Sequence, residues 1–328
     1  MSLLLLVFTI STVVSPNTIL AQTSIGDVHG ASRLSGVVNH GRSTASNISP
    51  VTSFKSRVDL VMVPVSVTDR KNRTVLGLTK DNFQLYENKR LQVVDHCSRE
   101  DAPLSIGILL DTSGSMQSKL EHAREAITTF VGAANPQDEF FLITFSDSPV
   151  EILDFGTPFE QISNELLYVH PAGSTALIDA VYLAITKLNK ARHSRKAILI
   201  VSDGGDNHSR YAERDVRNLA KEADVMIYGI GLYDRFFETV EERLGPVLMD
   251  NLSMLTGGKT FIIEDARDLT DAASKIAVEL RNLYMISYIP KETSRDGKWH
   301  KIRVKLVVPK ELRAFRWHAR EGYYATAE

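Results

Sequence analysis

From Val58 to Asp69 the chain reads VDLVMVPVSVTD, with Val61, Val63, Val65 and Val67 on one parity and Leu60, Met62, Pro64 and Ser66 on the other. That two-residue period predicts a strand. FQLYEN followed by RLQVVDH predicts a hairpin turning at Asn88 and Lys89. From residue 104 the rhythm changes to apolar strands alternating with helical stretches: LSIGILL, a helix from Met116 to Ala134, EFFLITF, and an edge strand at PVEILDF. The unit recurs as helical TALIDAVYLAITKL, strand KAILIVSD, a helix around Arg214 to Glu222, strand VMIYGIGLY, a helix near Val240 to Leu255, strand KTFIIED and a closing helix from Leu269 to Asn282. Continuous apolar strands with crossover helices predict a doubly wound, mostly parallel six-stranded α/β sheet of Rossmann-like architecture over residues 103–283. After Leu283 the pattern returns to strands in YMISYIP, KWHKIRVKLVVP and RAFRWHAREGYYA. Residues 55–100 and 284–325 are expected to assemble into one flanking β-sandwich-like module, because neither has enough strands to be stable alone.

The composition fits such a chain: 328 residues, 43% hydrophobic and 24% charged, can bury a large core or two modest ones. A formal charge of −2 without a long basic run gives no reason to expect nucleic acid. The single cysteine, Cys97, rules out an internal disulfide and any CxxC site, and reads as a small core residue. The N-terminal MSLLLLVFTISTVV, with Ala21 before a polar stretch, resembles a signal peptide over residues 1–21, so the protein is expected to be exported to the periplasm, cell envelope or exterior. The alternative is an uncleaved segment that anchors the chain, the one membrane contact expected. Residues 22–54, rich in Ser, Gly, Thr and Asn, read as a flexible linker.

In doubly wound sheets, ligands bind at the carboxyl ends of the strands. Strand LSIGILL runs into DTSGSM, KAILIVS runs into DGGDN, and AGST leads into a helix, so Asp111, Ser113, Ser115, Thr175 and Asp203 are expected near one point. Hydroxyls and carboxylates are hard oxygen donors suited to Mg²⁺, with Mn²⁺ or Ca²⁺ as alternatives. Gly114 lets the backbone bend so that Ser113 and Ser115 can aim at one position.

DTSGS with a later Thr and a later SDG resembles the metal-ion-dependent adhesion site of the von Willebrand factor A (VWFA) domain family. The family's DxSxS positions fall on Asp111, Ser113 and Ser115, its threonine on Thr175 and its aspartate on Asp203. The flanking VPVSVTDRKNRTVLGLTKDNFQLYEN, YMISYIP and HAREGYYA are similar to a bacterial subgroup of VWFA-related domain proteins, over roughly residues 57–325. The resemblance implies a non-enzymatic module for adhesion or scaffolding, in which an acidic group of a protein partner, Asp or Glu, completes the coordination of the metal.

Alone, DxSxS reads more readily as a helix cap than as a metal site; its combination with Thr175 and Asp203 reverses that. Asp206 and Asn207 could orient a metal-bound water, but capping a turn or the next helix is the simpler expectation. His170, His208 and His300 have no metal-ligand spacing and are expected at the surface or in turns. A metal-dependent hydrolase would need a base near the cation, for which Asp111 or Asp203 could serve; GxSxG and the Walker lysine motif are absent. The third alternative is a structural envelope protein whose site is vestigial.

Overall fold

The structure, a computed structural model, describes residues 60–99, 101–233, 240–291, 295–309 and 314–327. The expected leader and linker lie outside these residues. The N-terminal alternation forms β1 (Val61–Thr68), with Val63, Val65 and Val67 fully buried and Leu60 and Met62 about half exposed. Three short strands follow: β2 (Phe83–Glu87), β3 (Arg90–Gln92) and β4 (His96–Ser98). Asn88 and Lys89 both take positive φ, 47° and 71°, the left-handed pair that a tight hairpin between β2 and β3 requires.

Then comes the α/β sheet: β5 (Leu104–Asp111), β6 (Glu139–Phe145), β7 (Pro149–Leu153), β8 (Arg195–Ser202), β9 (Val225–Leu232) and β10 (Thr260–Ile263). Between them run α1 (Leu120–Gly132), α2 (Phe159–Leu166), α3 (Leu177–Leu188), α4 (Glu213–Glu222) and α5 (Val240–Thr256), and α6 (Leu269–Arg281) closes the unit. The strand order is β10-β9-β8-β5-β6-β7, all parallel except the edge strand β7. Every residue of β5, β6 and β9 is buried, as expected of strands covered on both faces. Ile106, Ile108 and Leu110 pack with α1, α2 and α6, whereas Leu109, Phe141, Ile143 and Ile198 pack with α3, α4 and α5. Each such side chain contributes roughly 1.5–3 kcal/mol of burial. The chain winds from β5 towards β6 on one side and from β8 towards β9 on the other. The reversal point therefore lies between β5 and β8, whose carboxyl ends carry Asp111 and Asp203.

The last strands are β11 (Tyr284–Tyr288), β12 (Trp299–Leu306), β13 (Arg316–Ala319) and β14 (Gly322–Tyr324). With β1–β4 they make two four-stranded sheets, β13-β1-β11-β4 and β14-β12-β2-β3, packed over a shared core that includes Val63, Val65, Leu85, Ile286 and Ile302. The expected β-sandwich-like module is present, with two differences in detail. RLQVVDH is not one strand: β3 pairs with β2, then the chain crosses at Val93 and β4 pairs with β11 in the other sheet. RAFRWHAREGYYA likewise splits into β13 and β14, one in each sheet. Both runs are apolar enough for a strand throughout, but a two-layer sandwich requires the chain to change sheets.

His300 departs from its expected surface position: it is buried, with Nδ1 2.8 Å from Glu87 Oε1 and Nε2 3.2 Å from Asp296 Oδ1. Cys97 is half-buried against the sandwich core. Arg320, between β13 and β14, bonds Asp224 Oδ1 at 2.5 Å and the Met62 carbonyl at 2.5 Å, tying the sandwich to the α/β unit. Among the described residues no helix is long and apolar enough to cross a membrane.

Candidate metal site

Asp111 ends β5, and the chain bends sharply after it. The Thr112 amide donates to the Phe145 carbonyl at 2.8 Å and the Gly114 amide to the Gly173 carbonyl at 3.1 Å, anchoring the turn to two neighbouring loops. The next residues form a 3-10 turn, Gly114–Ser118, so the expected helix from Met116 becomes regular α-helix only at Leu120. This tight turn brings Ser113 Oγ within 3.1 Å of Ser115 Oγ, and Ser115 Oγ donates to Asp203 Oδ1 at 2.8 Å. Two hydroxyls and a carboxylate from two strand ends thus form one contiguous set of oxygens.

Asp111 lies beside this set rather than within its hydrogen-bond chain. Its Oδ1 accepts from the Ser113 amide at 2.8 Å and its Oδ2 from Ser202 Oγ at 2.5 Å. Burial pushes its pKa up to about 6, opposed by hydrogen bonds from Ser202 and Ser113 and reinforced by the nearby charge of Asp203. Tyr233 shares this environment: burial first, then the charges of Asp203 and Asp111, raise its pKa. A buried pair of carboxylates favours any cation that can sit beside it.

Thr175 arrives from the loop before α3 and is buried, 4% exposed. Its Oγ1 lies 3.7 Å from where a side chain on Gly204 would begin, which places it against the loop that follows Asp203. The fit depends on Gly173, whose φ is +83° and where a Cβ would lie 2.8 Å from the Asp147 carboxylate. That carboxylate in turn accepts the Ser174 amide at 2.8 Å. Asp206 and Asn207 clamp the same loop from the other side. Asn207 Oδ1 accepts the Thr175 amide at 2.8 Å, and the Thr175 carbonyl accepts the Asn207 and His208 amides at 3.0 and 3.1 Å. Asp206 Oδ1 accepts the Ile178 amide at 3.0 Å and bonds Ser209 Oγ. Asp206 does cap a helix, but it is α3, the preceding one, and not the next, while Asn207 holds the loop just before it. Asp179 returns the contact by accepting the Arg210 and Tyr211 amides at 2.9 and 3.0 Å.

Three residues that touch the site escaped the sequence reading: Ser202, Asp147 and Lys119. Ser202 immediately precedes Asp203 and could have been flagged as one more hydroxyl at a strand end. Asp147 and Lys119 meet the site only through folding. Lys119 Nζ lies 2.7 Å from Asp203 Oδ2. The donor chemistry, hydroxyls and carboxylates, fits a small hard divalent cation. Ser113, Ser115 and Asp203 form the contiguous part of the set that could hold such an ion, and Asp111 and Thr175 lie beside it. The ion would supply a positive centre able to bind an anionic group.

Residues 106–205 match the family described as the von Willebrand factor type A domain. A protein from Borreliella burgdorferi described as uncharacterized is 23% identical over 219 residues, covering 56% of this chain and 64% of its own length. The inter-alpha-trypsin inhibitor heavy chain H4 of Sus scrofa is 26% identical over 130 residues, 35% of this chain and 14% of that protein. Among solved structures, a von Willebrand factor type A protein from Catenulispora acidiphila aligns with a TM-score of 0.49 at 13% identity, over 83% of this chain and 64% of its own. The chain therefore spans less than two thirds of the length of each.

Proposed function

We propose that the von Willebrand factor type A domain of this chain is an exported protein-interaction module in which Asp111, Ser113, Ser115, Thr175 and Asp203 hold one divalent cation, Mg²⁺ in the first instance. An Asp or Glu side chain of a protein partner completes its coordination. The observation that carries this reading is the continuous contact of Ser113 Oγ, Ser115 Oγ and Asp203 Oδ1 at the reversal point of the sheet. Hydroxyls add no formal charge, so the two aspartates at most neutralise a dication, and it keeps its attraction for a further carboxylate. Export rests on the apolar N-terminal run.

The test is calorimetric titration of Mg²⁺ and Mn²⁺ into chelator-stripped protein beside a folded D111A/S113A variant. Saturable binding that the variant loses is the expected result. Equal binding by both proteins would place the metal elsewhere, and ester or phosphate hydrolysis abolished by D111A would replace the binding module with an enzyme.

A further inference from the structure

Asp203 faces a cation that belongs to the chain itself. Lys119 occupies the position before α1, and its ammonium, 19% exposed, meets a carboxylate that is only 1% exposed. The helix does not explain a lysine there. The N-terminus of a helix carries the positive end of its dipole, and the favoured residues at that position are Ser, Thr, Asp and Asn. Lys119 makes no side-chain cap bond to α1 and turns instead to Asp203 Oδ2, while Asp203 Oδ1 faces Ser115.

The charges bear directly on how the site treats a metal. Asp111 and Asp203 bring two negative charges that repel each other, and Lys119 removes one of them. A dication arriving among these oxygens must displace the ammonium from Asp203 or share the carboxylate with it. Either costs affinity, because like charges a few ångströms apart in a poorly hydrated site repel strongly. An incoming carboxylate is drawn to both cations.

We infer that Lys119 is a tethered counter-ion that holds Asp203 in the metal-free protein, weakens the site for a bare divalent cation and so makes tight metal retention depend on an anionic partner. This rests on the metal-binding reading proposed above. It makes the bare module a weak metal binder by construction, and the partner's acid the element that secures the ion.

The experiment is titration of Mg²⁺ alone into chelator-stripped wild type, Lys119→Gln and Lys119→Arg, with thermal unfolding of each protein with and without Mg²⁺. Gln keeps a polar side chain, one atom shorter, and removes the charge; Arg keeps the charge. Lys119→Gln is expected to bind Mg²⁺ about tenfold more tightly, ~1.4 kcal/mol. It should also gain more unfolding temperature from Mg²⁺ than wild type, with Lys119→Arg staying close to wild type. Binding by Lys119→Gln where wild type shows none would support the inference equally. Wild-type binding with Lys119→Gln no tighter overturns the counter-ion role and leaves the metal site standing, whereas no binding by any of the three proteins overturns both.

Discussion

The α/β unit and the β-sandwich share one chain but solve the burial problem in opposite ways. β5, β6 and β9 are covered on both faces, and most of their polar chemistry lies at the strand ends, where Asp111 closes β5 and Ser113 and Asp203 sit in the loops just beyond; Tyr228 in the middle of β9, which donates to buried Glu279 of α6, is the exception. Most sandwich strands bury one face, although Val65–Thr68 of β1 are buried throughout. β12 alternates strictly from Ile302 to Lys305, and buried polar groups appear inside the sheet itself, in the Glu87–His300 pair. A parallel sheet cannot spare interior positions for charge, but its connections supply free loops at one edge. In the antiparallel module the polar network serves the packing of two sheets whose strands come from opposite ends of the described chain.

The strongest way to break this comparison is to end the chain at Leu283. That removes both partners of β1, namely β11 and β13, and β12 from beside β2. Amide exchange is expected to show lost protection across Val61–Thr68 and Phe83–Glu87 while β5 and β8 keep theirs. Equal loss in both units would mean that they fold as one, and retained protection in β1 would mean that it has a different partner. Next in size is Glu87→Leu. Glu87 accepts from Tyr323 OH at 2.7 Å and pairs with His300, so its loss strands one buried and one partly buried group. Denaturant unfolding should register a loss of about 3 kcal/mol with Mg²⁺ affinity unchanged.

Much of this division could be read from the sequence because periodicity reports burial. The alternation of β1 and the unbroken runs of β5 and β8 distinguish one covered face from two before any coordinates exist. The strand ends could be read for the same reason, since a polar DTSGS after a continuous apolar strand marks where the sheet stops. Three kinds of feature could not. The helix α2 is only eight residues long, and among its described side chains only Ile162 and Leu166 are buried apolar positions, too few for a period to emerge from PFEQISNELL. The sheet changes at Val93 and at Arg320 leave no mark, because a crossing residue and a strand residue can have the same polarity. The partners of the site, Lys119 on Asp203 and Asp147 beneath Gly173, lie 84 and 26 positions away and depend on which loops the fold brings together.

A more modest effect separates the loop clamp from the oxygens it positions. Asn207→Ala removes the acceptor of the Thr175 amide without touching Ser113, Ser115 or Asp203. Supporting residues of this kind typically matter by 10–100-fold in metal affinity. If Thr175 belongs to the site, Mg²⁺ binding should weaken by about tenfold while global stability falls by only about 1 kcal/mol. Unchanged affinity with the same stability loss would remove Thr175 from the metal's surroundings.

The smallest expected effect is at the seam between the two units, where His318 of β13 is half-buried. Burial holds its pKa below the ordinary 6.5. Glu279 of α6 and Asp250 of α5 pull it upward, while Lys259 and Arg316 push it down with the burial. Because the folded state resists protonation, the unfolded chain binds more protons once the pH falls below about 6.5. The stability contributed by neutral His318 is therefore complete above that pH, declines as the pH drops through 6.5, and levels off below the depressed folded value. His318→Gln should flatten this part of the stability profile relative to wild type, measured by denaturant midpoints at a series of pH values. A profile that keeps its acid slope in the variant would assign that slope to another group.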